Sequence, residues 1–543
     1  MAPVPGFMRT IGPSAPRVAQ ISIPGTGYHR RLSMDMLAVH AQSKGDFPAL
    51  ICGDSVLTWA DYIARRNSLA NALLEEGLKP GETLVQYLHN SIESALVMAA
   101  SGELKTTNTP VNHRLMPKEV AYIVSNSDAA CVVTEPEFLP VFEEIRGDCP
   151  NVRIWIVIGD AASCPEWALP FDDLTGSTDP VSLPEDAPEE GLAMIYTSGT
   201  TGKPKGARRG GIASPAQAMA WIQGFGLTSD DVHLAAGPLY HSAPMAFFSL
   251  AQVLGNTSVI MPKFREEEAL SLIERHKVNS TFMAPTLVKR ILQLGPDVIA
   301  RHDLSSLKSL IVAGAPCPQK VKEDVMSLIG PVLYEFYGST ELGINTILKP
   351  EDSIRKPGSC GQASGVEIKL LDEDGKEVPT GEPGELFVKR NPMTFNEYYK
   401  NESATADAAR DDWVTVGDVA YVDADGFYFI CDRKIDMIIS GGVNIYPAEI
   451  EDALHRHPEV KDVAVFGIPD EEWGESVHAA VQLIEGSILD EDSLIAWARE
   501  QIAGYKVPRS VSFHAEFPRD VAGKLIKRQL RAPFWEGHES QIV

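Results

Sequence analysis

The residues whose types and spacing most clearly suggest a chemical role form a short segment that is rich in glycine, in hydroxyl side chains and in lysine. Its sequence is YTSGTTGKPKG at 196–206, and it directly follows the apolar residues LAMI at 192–195. Glycines let the backbone approach a polyphosphate, hydroxyl and amide groups donate to phosphate oxygens, and lysine offsets their charge. The segment therefore predicts a strand that opens into a phosphate-binding loop. The alternative is a solvated turn, since Ser, Thr and Gly are common in turns.

This loop differs from the Walker type of nucleotide-binding loop. In the Walker type, Gly-Lys is followed by a Ser or Thr whose hydroxyl binds magnesium. Here Gly202 and Lys203 are followed by Pro204, and a helix cannot continue through a proline. We therefore expect a nucleotide site of another kind.

Strands and helices alternate on both sides of the loop. Apolar spacing predicts helices near 62–77, 138–145, 267–276, 448–455 and 492–502, and strands near 130–133, 152–158, 309–313 and 460–466. From about residue 382, short segments such as GELFVK and GFYFIC are separated by Asp/Gly turns. This pattern predicts an α/β protein containing parallel sheet, with a β-rich subdomain at about 382–433.

The domain organisation follows from the same changes in pattern. We expect a large N-terminal domain of layered α/β subdomains at 1–433 and a small mobile α+β C-terminal domain at 434–543. Residues 1–31 are rich in Pro, Gly and Ser and predict a leading arm over the surface.

The composition excludes several classes of protein. The 543 residues include 48 Lys and Arg against 74 Asp and Glu, a net charge of −26, which disfavours a nucleic-acid binder. Any anionic ligand must therefore meet a local positive site. The seven cysteines are scattered, which indicates a reducing compartment without a disulfide framework or zinc site. Neither a signal peptide nor a long apolar run is present, so we expect a soluble cytoplasmic protein without integral membrane association.

Six further motifs follow the loop in a fixed order. They are PLYHSAP at 238–244, GAP at 314–316, YEFYGSTE at 334–341, VGD at 416–418, DRKIDMIISGGVNIYPAEIE at 432–451 and PRDVAGK at 518–524. Together with the loop they closely resemble the adenylate-forming superfamily, which contains acyl-CoA synthetases, adenylation domains of peptide synthetases and firefly luciferase. The resemblance covers about residues 57–531, and it is greatest to acyl-CoA synthetases.

The resemblance implies a reaction in two halves. A carboxylate attacks the α-phosphate of ATP to give an acyl-adenylate and pyrophosphate, and a thiol then takes the acyl group and releases AMP. In the first half two anions meet, and at about 4 Å with an effective dielectric near 20 their repulsion is on the order of 4 kcal/mol. The family's adenylation lysine corresponds to Lys524. Without the other motifs, Lys524 would read as an ordinary surface lysine in a basic helix.

The ATP site implied by the resemblance draws on several motifs. Glu341 would hold Mg²⁺, a hard cation that takes carboxylate and phosphate oxygens, and Thr340 would donate to the α-phosphate. Asp418 and Arg433 would contact the ribose, and Tyr337 would stack on adenine. The other residues assigned to the nucleotide are Thr197, Ser198, Gly199, Thr200, Thr201, Lys205, Gly314, Ala315, Pro316, Glu335 and Gly338.

The acid is expected next to His241 of PLYHSAP. A neutral imidazole both donates and accepts, so His241 could orient the carboxylate or gate the site, and a structural histidine is the alternative. The expected acyl pocket is lined by His241, Met245, Phe247, Val312 and Gly338. Apolar residues occur in any core, so these positions leave fatty, aryl and alicyclic acids open.

For the thiol half-reaction the resemblance implies a rotating C-terminal domain with a hinge at Lys434 and Ile435. The family usually has Asp or Lys at the position of Ile435. The glycine-rich segment Ser440, Gly441 and Gly442 would form a narrow passage for the pantetheine thiol of CoA. Lys506 would meet CoA phosphates, although a solvated surface lysine is equally plausible.

The resemblance therefore implies an AMP-forming acyl-CoA ligase that uses ATP, Mg²⁺ and CoA on a hydrophobic carboxylic acid that is fatty, aryl or alicyclic. A stand-alone adenylation enzyme that loads a carrier protein would share the first half-reaction. A non-catalytic nucleotide-binding protein would be expected to lose Lys524 or Glu341, and both are present.

Overall fold

The computed structural model describes residues 35–197, 204–210, 213–433, 436–440, 443–470, 473–519 and 525–536, with the backbone alone for 432–433, 439 and 443–444. The predicted leading arm at 1–31 lies outside these residues.

The helices are short to medium in length, and several begin at a side chain that caps their first turn. The side chain of Thr58, for example, accepts from the Asp61 N–H at the start of the second helix. In the described residues the α-helices are α1 Met36–Lys44, α2 Trp59–Glu75, α3 Ile92–Glu103, α4 Pro117–Asn126, α5 Leu139–Ile145, α6 Pro215–Gly224, α7 Ser242–Leu254, α8 Glu266–His276, α9 Pro285–Leu292, α10 Pro296–Ile299, α11 Gln319–Leu328, α12 Pro350–Arg355, α13 Glu402–Asp407, α14 Pro447–His455, α15 Glu491–Gln501 and α16 Lys527–Arg531.

The β-strands lie between these helices along the chain. Those before residue 300 are β1 Pro48–Cys52, β2 Ser55–Thr58, β3 Thr83–Tyr87, β4 Thr107–Pro110, β5 Ala129–Thr134, β6 Ile154–Val157, β7 Leu169–Pro170, β8 Leu192–Thr197, β9 Lys205–Gly210, β10 Val232–Ala235, β11 Thr257–Ile260 and β12 Ser280–Met283. The later strands are β13 Ser309–Val312, β14 Leu333–Ser339, β15 Gly343–Leu348, β16 Gly361–Ala363, β17 Ile368–Leu371, β18 Gly384–Lys389, β19 Glu397–Tyr398, β20 Ala409–Arg410, β21 Trp413–Val414, β22 Asp418–Val422, β23 Phe427–Arg433, β24 Ile438–Ser440, β25 Val443–Ile445, β26 Val460–Asp470, β27 Gly474–Leu483 and β28 Ser510–Phe513.

Three sheets organise these strands. The first has the order β19-β9-β8-β4-β3-β5-β6-β7, and the second has the order β2-β1-β11-β10-β12-β13-β14-β15-β16-β23-β22-β18-β21-β20 with β17 paired to β18. The third lies in the C-terminal part, in the order β25-β24-β27-β26 with β28 beside β27. The prediction of a mixed α/β fold with a large N-terminal domain and a smaller C-terminal domain is confirmed.

The second sheet positions most of the predicted motifs. Strands β10, β12, β13 and β14 are parallel neighbours, and the motifs PLYHSAP, GAP and YGSTE follow or complete their carboxyl ends. Because ligands of open α/β sheets bind at the carboxyl ends of parallel strands, this edge is where the side chains of separate motifs meet.

None of the helices in the described part of the chain combines the length and the apolar character needed to cross a membrane. All seven cysteines have free thiols.

One buried histidine makes the stability of this sheet depend on pH. His233 of β10 is 2% exposed, its Nδ1 lies 3.0 Å from Ser280 Oγ, and burial lowers its pKa to about 4. Below the unfolded pKa near 6.5 the unfolded chain binds a proton that the folded chain does not bind. The folded state therefore loses stability as the pH falls from about 6.5 to about 4, by up to about 3 kcal/mol from this residue.

We expect the substitution His233→Gln to weaken this acid sensitivity. The free energy of unfolding of the N-terminal domain, measured by denaturant titration between pH 7 and pH 4, should fall less steeply in the variant than in the unmodified protein. Identical pH dependences would show that His233 remains protonated or solvated in the folded chain.

Candidate active site

The predicted phosphate loop is the connection of a β-hairpin. Strands β8 and β9 are antiparallel, and Thr197 at the end of β8 is the backbone partner of Lys205 at the start of β9. The loop residues Ser198, Gly199, Thr200 and Thr201 lie outside the described residues. The hairpin brings Thr197 and Lys205 to the same end of the first sheet.

Glu341 lies where the first and second sheets meet. Its side chain is 7% exposed, and its Oε1 accepts from the Thr197 hydroxyl at 3.4 Å and from the Tyr398 hydroxyl at 3.0 Å. Its backbone carbonyl accepts from the Phe395 N–H at 2.7 Å. Two strands of the first sheet thus hold one oxygen of a carboxylate that belongs to the second sheet.

Two basic residues of β9 accompany this carboxylate. Lys205 Nζ lies 5.2 Å from the centre of the Tyr398 ring, within the range of a cation–π interaction. Arg209 is 8% exposed; burial lowers the pKa of its guanidinium, and the Glu341 carboxylate opposes that change. The whole chain has a net charge of −26, so an anionic ligand needs a locally positive site, and these two basic residues supply it.

Tyr337 and Asp418 are in direct contact. The Tyr337 hydroxyl donates to Asp418 Oδ2 at 2.6 Å, and Asp418 is 8% exposed. Asp418 is the backbone partner of Arg433 across β22 and β23, and the side chain of Arg433 is outside the description. The residues predicted to contact adenine and ribose are therefore adjacent.

The loop after β13 carries Gly314, Ala315 and Pro316. Gly314 has a φ of +86°, a conformation that glycine adopts without strain, and Gly314 and Pro316 are exposed while Ala315 is half-buried. The loop thus presents backbone to solvent beside the carboxyl end of β14.

Glu335 is placed differently from the other nucleotide candidates. It is 8% exposed and forms an ion pair of 2.5 Å with Lys322, which is 2% exposed. Burial raises the pKa of the Glu335 carboxyl, and Lys322 opposes this. The Glu335 side chain thus stabilises α11 against β14 behind the loop, because a buried carboxylate requires a compensating charge.

Gly338 fills a position that no other residue could occupy. A Cβ atom there would lie 2.1 Å from the Gly343 carbonyl oxygen. The strands β14 and β15 approach each other this closely at a bulge, because Tyr337 pairs with Thr346 and Gly338 pairs with Ile344.

The expected acyl-pocket residues separate into two groups. Phe247 belongs to a core cluster that also contains Phe225, Phe282 and Phe336, which we call the aromatic cluster. The Phe247 ring lies 5.2–5.7 Å from the other three ring centres. Val312 packs in another core cluster with Val288 and Val321, so the structure does not bring it to the aromatic cluster.

His241 and Met245 lie at the start of α7. His241 occupies the N-cap position, its ring lies 4.6 Å from that of Tyr240, and its carbonyl accepts from the Met245 N–H at 3.1 Å. Met245 is buried, His241 is half-buried, and Thr340 is half-buried beside Glu341.

In the C-terminal part, the structure describes only some of the predicted residues. Ser440 ends β24 and is half-buried. Lys506 Nζ forms an ion pair of 2.6 Å with Glu449. The predicted residues Lys434, Ile435, Gly441, Gly442 and Lys524 lie outside the described residues.

The donor set fits a magnesium ion that is shared with a ligand. Among the described residues, no group of three or more His, Cys, Asp or Glu side chains could hold a metal ion alone. Glu341 offers one carboxylate, and Mg²⁺ commonly binds one or two carboxylates together with phosphate oxygens.

Tyr398 is a site residue that the sequence analysis missed. It follows the strand β18 by nine residues and shares no motif with Glu341, 57 positions earlier in the chain. The pair of adjacent tyrosines, Tyr398 and Tyr399, was its only visible signal.

Known protein families and curated proteins resemble this chain along most of its length. The AMP-binding enzyme family matches residues 37–399, and the AMP-binding enzyme C-terminal domain matches residues 449–524. A feruloyl-CoA synthase of Amycolatopsis sp. is 33% identical over 491 residues, 89% of this chain and 95% of that protein. The fatty acid–[acyl-carrier-protein] ligase ScoC of Streptomyces coeruleorubidus is 32% identical over 511 residues, 91% of this chain and 95% of that protein.

A solved structure has the same fold. The crystal structure of the anthranilate CoA ligase AuaEII in complex with anthranoyl-AMP superposes with a TM-score of 0.82 and 28% identity, covering 92% of this chain and 96% of that chain. The chain therefore belongs to the AMP-binding enzyme family, the adenylate-forming superfamily that its motifs resemble, and it is an AMP-forming acid–thiol ligase.

Proposed function

We propose that this enzyme activates a hydrophobic carboxylic acid with ATP as an acyl-adenylate, releasing pyrophosphate, and then transfers the acyl group to the thiol of CoA, releasing AMP. The observation that carries the proposal is the buried Glu341 carboxylate, which Thr197 and Tyr398 hold beside the two basic residues of β9. A carboxylate fixed next to cations is suited to a site where phosphate groups and a metal ion must be bound together.

The first half-reaction requires the enzyme to bring two anions together. In our proposal the Lys524 ammonium lies beside the joined oxygens and offsets their repulsion, which is on the order of 4 kcal/mol. Thr340 donates to the α-phosphate, and Lys205 and the hairpin loop 198–204 hold the other phosphates. Magnesium, when bound at Glu341, supplies positive charge to the phosphate oxygens.

The groups proposed to bind the nucleoside already contact each other in the structure. In our proposal the Asp418 carboxylate accepts from the ribose hydroxyls, with Arg433 on the same sugar, and the Tyr337 ring stacks on adenine against the loop 314–316. The hydrogen bond of 2.6 Å from Tyr337 to Asp418 supports this, because it fixes the ring and the carboxylate relative to each other before a ligand binds.

The second half-reaction needs a passage for the thiol. In our proposal the C-terminal domain turns about Lys434 and Ile435, withdraws Lys524 and presents the segment 440–442 to the pantetheine arm. Lys506 then exchanges its partner Glu449 for a CoA phosphate. His241 lies at the entry of the acyl site and orients the carboxylate.

A carrier protein is the second candidate for the thiol. It is favoured by one observation, the 32% identity to a ligase whose name gives an acyl-carrier protein as acceptor. A panel of fatty, aryl and alicyclic acids, assayed for pyrophosphate release and then for CoA-dependent AMP release, separates the two. Pyrophosphate release without CoA turnover would favour a carrier protein, and no product with any acid would remove the proposed function.

We expect Lys524→Ala to lower the rate of adenylate formation by about a thousandfold, the equivalent of the repulsion that the ammonium offsets. Thioester formation from a supplied acyl-adenylate should remain close to that of the unmodified enzyme. Both rates can be measured with the same acid by following pyrophosphate and AMP. Lys527→Ala is the matched control, because Lys527 is engaged by Glu451 at 2.8 Å; equal loss of both half-reactions in Lys524→Ala would contradict the proposed division.

We expect Tyr398→Phe to slow pyrophosphate release by about tenfold and to raise the Mg²⁺ concentration needed for half-maximal rate, since a hydrogen bond to a charged group is worth about 1.5–3 kcal/mol. Without the hydroxyl, Glu341 Oε1 keeps the longer hydrogen bond from Thr197 as its side-chain contact among the described residues. The neighbouring Tyr399→Phe is the control, because the Tyr399 hydroxyl donates to Asp128 at 2.8 Å. Equal magnesium dependence in the two variants would argue against a metal at Glu341.

A further inference from the structure

Four buried polar atoms without hydrogen-bond partners are concentrated in one wall of the N-terminal domain. They are Gln217 Oε1, Trp221 Nε1, and both Nδ2 and Oδ1 of Asn345, and none has a partner in the part of the chain that is described. Gln217 is 2% exposed, Trp221 is 5% exposed and Asn345 is 0% exposed. Unpaired polar atoms in a core cost stability and are rare in native proteins, so their concentration calls for a physical explanation.

These three residues, which we call the polar trio, lie on two neighbouring elements. Gln217 and Trp221 are one turn apart on the same face of α6. Asn345 is the extra residue of the β-bulge in β15, between the pairs Tyr337–Thr346 and Gly338–Ile344. It is thus directly across the bulge from Tyr337, which the proposed function places at adenine, and from Gly338, which the family resemblance assigns to the acyl pocket.

Close packing connects α6 with β15. A Cβ atom at Gly224 of α6 would lie 2.6 Å from Ile347 Cδ1. The segment Ser364–Gly365 bridges the same gap: the Ser364 N–H donates to the Asn345 carbonyl at 2.9 Å, and a Cβ at Gly365 would lie 3.1 Å from Gln217 Cα. The trio therefore belongs to one wall.

This wall borders the aromatic cluster. Trp221, Ile344 and Ile347 are members of the same core cluster as Phe225, Phe247, Phe282 and Phe336. Aromatic rings and unpaired polar atoms are thus neighbours in this wall, and sites that select a small molecule commonly combine an apolar lining with a few polar groups in this way.

The trio offers a defined set of donors and acceptors. Gln217 Nε2 donates to Asn391 Oδ1 at 3.2 Å, which leaves Gln217 Oε1 as a fixed acceptor. Trp221 Nε1 can only donate, and the Asn345 amide can do both. A hydroxyl group, which both donates and accepts, matches this set, and an aliphatic chain end leaves it unsatisfied.

We propose that the polar trio makes this enzyme selective for acids whose apolar ring carries a neutral hydrogen-bonding substituent, such as a hydroxyl, over unsubstituted aryl acids and fatty acids. The inference rests on the proposed function and specifies its acid. Selection of this kind can be strong, because the wrong substrate leaves the buried polar groups unpaired, whereas an apolar wall distinguishes poorly between similar acids.

The test compares matched acids on matched variants. Benzoate and cinnamate are each paired with their ortho, meta and para hydroxylated derivatives, with dodecanoate as the fatty acid, and kcat/KM is measured from pyrophosphate release at saturating ATP. For the unmodified enzyme we expect at least one hydroxylated isomer to exceed its parent acid, and dodecanoate, by tenfold or more. Gln217→Leu and Asn345→Leu should each reduce this ratio by about tenfold or more, because each removes buried hydrogen bonds to the substituent, without changing KM for ATP.

Gln252→Leu is the matched control. Gln252 is also a buried glutamine, 4% exposed with an unpartnered Oε1, and its Nε2 donates to Ser258 Oγ at 2.8 Å in another part of the core. This variant should leave the ratio unchanged. Asn345→Leu removes side-chain atoms that have no partner among the described residues, so its Tm should not fall, and a loss of selectivity in this variant would not reflect unfolding. Gln217→Leu also removes the hydrogen bond to Asn391 Oδ1, so its Tm should fall by a small amount.

A binding measurement separates this inference from the proposed function. The thermal shift produced by each acid in the presence of AMP should be greater for the hydroxylated isomer, and only in proteins that retain the trio. Such a shift without any pyrophosphate release would support the inference and count against the proposed function. Pyrophosphate release with a ratio near one, or a ratio that Gln252→Leu changes as much as Gln217→Leu does, would overturn the inference.

Discussion

A buried carboxylate bridges the two large sheets of this enzyme at the candidate active site. Glu341 is carried by the second sheet, and the hydroxyls that donate to its Oε1 belong to Thr197 and Tyr398 of the first sheet. Since a buried carboxylate must be hydrogen-bonded or paired with a cation, separating the sheets would leave it without these donors. The requirement to satisfy this charge therefore ties the end of β8 to the motif 334–341, although the two lie more than a hundred residues apart in the chain.

Local charge in this site is opposite to that of the whole molecule. The chain carries a net charge of −26, yet Lys205 and the buried Arg209 accompany Glu341. In a region of low dielectric such cations act strongly on a nearby anion, and distant surface charges are screened by salt. Acidic composition and the binding of an anionic nucleotide are therefore compatible, because a few buried residues determine the local field.

The fold and the family could be predicted from the sequence, because both depend on patterns that are local in the chain. The helix near 62–77 appears as α2 Trp59–Glu75, and the helix near 267–276 appears as α8 Glu266–His276, since apolar periodicity specifies which face is buried. The contacts of the site could be predicted only in part. Tyr398 contacts Glu341 because β19 pairs with β9, and no sequence motif indicates that pairing. Glu335 forms an ion pair with Lys322 because α11 packs on β14. The bulge at Asn345 depends on the register between two strands, which composition and spacing do not determine.

Gly338 marks a part of the proposed acid site whose backbone shape cannot change. No side chain fits between β14 and Gly343, so this wall must keep the same shape whatever acid the enzyme accepts. At Gln217, Trp221 and Asn345 the wall consists of side chains, and a buried side chain can be exchanged for another of similar volume without moving the backbone. In enzymes built in this way, changes of acid preference should arise by exchange of these side chains, while the close approach of β14 and β15 at Gly338 stays as it is.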